Sequence, residues 1–139
     1  MNKKLIFSAL IIFTVALSLS SVNAGMFDFL SSNTVEVNNL EMVSKGYYMY
    51  DVNCELTPKS DFSYLEMTVI FYDSDGAVIE KNPIVWNMND VTKDQLIKVN
   101  GNAYLTNQKD QPAYAEIFIT DSPFNGDVND AIYTANVTM

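Results

Sequence analysis

The chain has 139 residues, no His, no Arg and a single Cys, with 17 acidic residues against 8 basic ones for a formal charge of −9. The lack of His removes Ser-His-Asp and Cys-His nucleophile systems and His-bearing zinc sites, and one Cys supplies neither a thiolate zinc site nor an intrachain disulfide. So acidic a chain lacks the basic footprint that nucleic acid requires, which excludes nucleic acid as a partner and disfavours anionic membrane surfaces.

In chain order, Lys3 and Lys4 precede an apolar run over residues 5–19, and a polar stretch over 20–24 ends in Val22-Asn23-Ala24. This is the layout of a secretory signal peptide, with small residues at the −3 and −1 positions of a cleavage site before Gly25. The apolar run is shorter than the roughly 20 residues a spanning helix needs. We therefore expect a signal-peptide helix over 1–24, cleavage after Ala24, and a secreted or cell-surface location. An uncleaved segment would be the chain's one membrane contact. Residues 25–33 read as a leader or linker that carries Phe27 and Phe29, and residues 34–139 as one domain with a core large enough to stand without disulfides.

From residue 34 on, the apolar period is two. Val35 and Val37 alternate with polar residues, as do Val52, Cys54 and Leu56. Leu65, Met67, Val69 and Phe71 form a third alternating set, and Ala115, Ile117 and Ile119 another. Alternation of this kind marks strands with one face in a core, and the Val, Ile, Tyr and Phe content suits a pleated surface. Cys54 falls on the inward phase and reads as a small buried hydrophobe.

Turn signals stand between the runs: Lys45-Gly46, Pro58 to Asp61, Asp73-Ser74-Asp75-Gly76, Asn82-Pro83, Asn100-Gly101, Asp121-Ser122-Pro123 and Asn125-Gly126-Asp127. Asn82-Pro83 is expected to break a short strand over 77–81, and Asn100-Gly101 to end one over 95–99. Residues 91–94 are read as a polar loop rather than a helix. Seven or eight short strands at this spacing predict an all-β, immunoglobulin-like antiparallel β-sandwich, with an open barrel as the alternative.

The run Ser63 to Ile79, with Phe71-Tyr72-Asp73-Ser74-Asp75-Gly76 at its turn, resembles the FxLYD-type family of immunoglobulin-like domains from secreted and surface proteins of bacteria and archaea. The family's Gly-x-Val-x-Asn stretch has only Asp51-Val52-Asn53-Cys54-Glu55 as its counterpart here. The resemblance covers about half of the chain beyond residue 24. It implies a sandwich fold and brings no catalytic residues with it.

Three kinds of site come from the residues themselves. The alternation places Tyr64, Ile70 and Tyr72 on the far side of one strand from the core, and Tyr114 and Phe118 on the far side of another. If those strands are neighbours, the five form one patch, which is either covered by a loop or by the leader around Phe27 and Phe29, or exposed and suited to a protein or glycan of the cell envelope. Asp73 and Asp75 in one turn, and Asp121 and Asp127 in another, are the candidate calcium ligands, although neither turn has the later Glu of an EF-hand. Asn136-Val137-Thr138 is a glycosylation sequon. No other cofactor is expected. The leading functional expectation is a non-enzymatic binding or structural module of the cell envelope, ahead of a calcium-binding extracellular module. A small hydrolase built on two carboxylates about 5 to 10 Å apart comes last, because acids on outward strand positions and turns are mostly solvated.

Overall fold

The computed structural model describes residues 34–107 and 109–139; the expected signal-peptide helix and the leader over 25–33 lie outside the described residues. Seven strands follow one another: β1 (Val35–Gly46), β2 (Met49–Pro58), β3 (Phe62–Tyr72), β4 (Val78–Val91), β5 (Ile97–Tyr104), β6 (Tyr114–Thr120) and β7 (Tyr133–Thr138), with one 3-10 turn, Val128–Asp130, between the last two. They form a three-stranded sheet of order β1-β2-β5 and a four-stranded sheet of order β4-β3-β6-β7. All pairs are antiparallel. The two sheets make the expected immunoglobulin-like sandwich, in which β3 and β6 are neighbours. Among the described residues no helix is long and apolar enough to cross a membrane.

The core lies where the alternation puts it. Val52, Cys54 and Leu56 from β2, Leu65, Met67, Val69 and Phe71 from β3, and Ala115, Ile117 and Ile119 from β6 are all buried between the sheets. Burial pushes the Cys54 thiol up to about 12, so it stays protonated in the folded domain.

Two turn assignments are corrected. Asn100-Gly101 does not end a strand: both residues lie inside β5, where they pair with Asn53 and Val52. Gly101 is there because the backbone of β4 passes close by, and a Cβ at this position would sit 2.9 Å from the carbonyl oxygen of Val85. Likewise Asn82-Pro83 does not break the chain into two strands. β4 runs on to Val91 through a bulge, in which Met67 pairs with Trp86 but Val69 with Asn82. The extra residues include Ile84 at φ 55, a conformation that is an outlier for a β-branched side chain.

The bulge carries β4 across to β5 of the opposite sheet. The buried Asn82 amide donates to the carbonyl of Tyr104 at 2.8 Å and accepts from the Tyr104 N–H at 3.0 Å. Glu80 accepts from the N–H of Thr106 at 3.0 Å and from its hydroxyl. One side chain thus stands in for a strand partner and ties two sheets together. The first hairpin has no Asn or Gly at its tip: Tyr47 (φ 53) and Tyr48 (φ 62) form a turn of the I′ kind.

Candidate functional site

The expected aromatic patch is on one face, as the alternation requires. On the side of the four-stranded sheet away from the core, Tyr72 pairs with Tyr114 and Thr68 with Phe118, while Ile70 and Tyr64 continue the row. The Tyr72 and Tyr114 rings stack, with centroids 4.7 Å apart and planes 6° from parallel.

Of the two readings of that patch, the covered one holds, and as an exposed binding surface it is corrected. Phe118 is 0% exposed, and Tyr64 and Ile70 are buried as well; only Tyr72 and Tyr114 are half-buried. The connection between β6 and β7 folds back over this face. Its fastenings are side chains of the sheet that hold loop backbone. The Phe124 N–H donates to Glu66 Oε2 at 2.9 Å, Lys81 Nζ donates to the Gly126 carbonyl, and the Thr120 hydroxyl donates to the Asn125 carbonyl at 3.2 Å. Glu66 is 1% exposed and also accepts from the Tyr64 hydroxyl at 2.6 Å. Its Oε1 and the Thr68 hydroxyl are buried without a protein partner.

Where the loop meets the β4 bulge, an open groove of about 800 Å³ remains. Ile70 lies within it; Lys81 and Ile84 line it from β4, and Phe124, Gly126 and Asp127 from the loop. Ile84 is 37% exposed and Phe124 83% exposed, and both sit at positive φ, Phe124 at 58°. A left-handed backbone at a bulky apolar residue costs on the order of 1–3 kcal/mol and persists only where the surroundings enforce it. Here two such residues, from different elements, border one groove. The sequence reading missed the groove, because nothing in a local pattern marks a positive φ at Ile or Phe.

The acidic turns do turn chemistry. Asp73 Oδ1 accepts from the N–H of Asp75 at 2.9 Å and of Ala77 at 2.8 Å, and Asp127 caps the 3-10 turn by accepting from Asn129 N–H at 2.9 Å. Asp121 accepts from the Ser122 hydroxyl at 3.4 Å. Among the described residues, no three His, Cys, Asp or Glu side chains gather in a way that would hold a metal ion. Asn136 is exposed on β7.

The outer face gives the domain an alkaline limit. Burial, reinforced by the Glu66 carboxylate that accepts its proton, pushes the Tyr64 phenol up to about 12; Tyr72 rises to about 12 through burial, with Glu116 accepting its hydroxyl at 2.9 Å. Unfolded tyrosine loses its proton near 10. The folded state therefore holds more protons between about 10 and 12, and stability falls as pH rises through that window. A spectrophotometric titration should show these two phenols ionising late, together with loss of the β circular dichroism signal. Early ionisation of every tyrosine with the fold intact would contradict the assignment.

No family model and no curated protein matches the chain. Solved structures similar to the domain include a GH3 β-glucosidase from Bifidobacterium adolescentis, at 12% identity and a TM-score of 0.43, with 76% of this chain and 17% of that one covered. Another is β-glucosidase 3B from Thermotoga neapolitana in complex with glycerol, at 8% identity and a TM-score of 0.42, with 76% and 16% covered. The chain spans about one sixth of the length of these enzymes, and at such identities the likeness says nothing about activity.

Proposed function

We propose that this is a non-enzymatic binding module of an exported or cell-surface protein, and that it contacts a protein partner through the groove between the β4 bulge and the β6–β7 loop. The carrying observation is that Ile84 and Phe124, both exposed and both at positive φ, border the same groove. Strain of this kind collects at binding sites, where the surrounding structure holds it in place. The apolar surface of Ile84 and Phe124 suits an apolar side chain of a protein better than a sugar. The signal-like N-terminus and the resemblance of residues 63–79 to FxLYD-type domains support the exported setting. Asp73 and Asp127 serve turns and Glu66 fastens the loop, which favours binding over hydrolysis.

The test compares three forms of the protein as capture reagents for envelope proteins of the producing cell. Wild type and Tyr104→Ser, altered on the other sheet, should capture the same partner, and Phe124→Ser should lose it by about tenfold or more, as expected for an anchor residue. Equal capture by all three, or none by wild type, would overturn the reading.

A further inference from the structure

A sandwich of two open sheets has four edges, and each exposes backbone groups that invite another strand unless something guards it. Here the edges differ. β4 and β5 guard each other: the β4 bulge, with Pro83 in it, lies against Gly101, and Asn82 bonds Tyr104. β1 is interrupted by a bulge between Asn38 and Glu41 and carries Glu36, Glu41 and Lys45. β7 has neither protection. Tyr133-Thr134-Ala135-Asn136-Val137-Thr138 contains no Pro and no charge, and its register against β6 is unbroken. It is the one strand of the seven without a charged residue, in a chain of charge −9.

The direction of the β7 backbone groups follows from its ends. The carbonyls of Ile119 and Ala113 both accept from the β7 side, from Ile132 N–H and Met139 N–H. Odd-numbered residues of β6 therefore face β7, and Ala135 and Val137, paired with Ile117 and Ala115, face back. By the alternation of an antiparallel ladder, Thr134, Asn136 and Thr138 point their N–H and C=O groups outward.

We infer that β7 is a self-association edge whose occupant is the β7 strand of a second copy of this chain, paired antiparallel about a two-fold axis at Asn136. The sequence is self-complementary in that register. Asn136 meets Asn136 of the second copy on the axis, and Thr134 meets Thr138, a favourable cross-strand pair. Ala135 then lies opposite Val137 on the inner face, where both are already half-buried against the core. No charges meet in any register, because β7 is the one strand of the seven that carries none. The two-fold closes the assembly at a dimer, with a continuous sheet of two times four strands.

The experiment uses the protein as its host cell processes it. The apparent mass of wild type should rise toward that of a dimer with concentration in analytical ultracentrifugation. Asn136→Pro removes one outward N–H and no bond to β6, a change an edge position tolerates, and should keep the protein folded and monomeric. Under mild oxidation Asn136→Cys should cross-link, since paired residues on the axis lie about 5.5 Å apart between Cα atoms, within disulfide reach. Thr134→Cys should not, because the two copies of that position lie more than about 13 Å apart. The inference is overturned if wild type stays monomeric at all concentrations, if Asn136→Pro associates as wild type does, or if Thr134→Cys cross-links as readily as Asn136→Cys.

Discussion

Phe118→Ala is expected to destabilise the domain by about 3–5 kcal/mol, the range for emptying a fully packed aromatic site. The residue is 0% exposed although it lies on the side of its sheet away from the core. Its burial comes from the β6–β7 loop, whose backbone is fastened to Glu66, Lys81 and Thr120. Phe124→Ala, in that same loop, should change stability by no more than about 0.5 kcal/mol, because an 83% exposed ring has little packing to lose. Urea denaturation of the two variants checks both numbers. A small loss at Phe118 would mean that the loop does not cover the sheet in solution. A large one at Phe124 would mean that its ring packs somewhere, and the groove would then lose its rim.

Asn82→Ala should cost about 1–3 kcal/mol, since it strands both the N–H and the C=O of Tyr104 in a partly buried setting. Asn82→Asp is the sharper variant. It keeps an acceptor for the Tyr104 N–H but sets a carboxylate against the Tyr104 carbonyl, and should cost more than Ala at neutral pH. Protonation restores a donor, so the gap between the two should narrow as the pH is lowered. Amide exchange at Tyr104 should quicken in both. Unchanged protection would show that the β4–β5 contact is incidental to the joining of the sheets.

What was legible in the sequence follows from what alternation encodes. It says which side of a strand a residue takes, so the inward sets of β2, β3 and β6 were readable, and with them the sandwich. It does not say what lies beyond the far side. Tyr64, Ile70 and Phe118 were therefore placed on the correct face, but which segment covers them was not readable, because the loop over that face has no period. Asn100-Gly101 has the composition of a hairpin turn, but its glycine answers to a neighbouring backbone at Val85, a long-range contact. Asn82-Pro83 reads as a breaker and is instead the start of a bulge, since an edge strand tolerates Pro there. The Tyr47-Tyr48 turn lacks the usual residues, and the strands it joins force its conformation.

The Asn82–Tyr104 tie gives the two sheets a spine, like that of a book. Along the β4–β5 flank the covers are joined by side chain and backbone together: the Asn82 amide holds the N–H and C=O of Tyr104, and Gly101 lies against Val85. Fluctuations that part the sheets are therefore resisted along the spine, and the amides of the β4–β5 flank should be among the last to exchange. A second copy paired on β7 would sit at the far edge of its sheet from that spine, and its added strand would act as a clasp there.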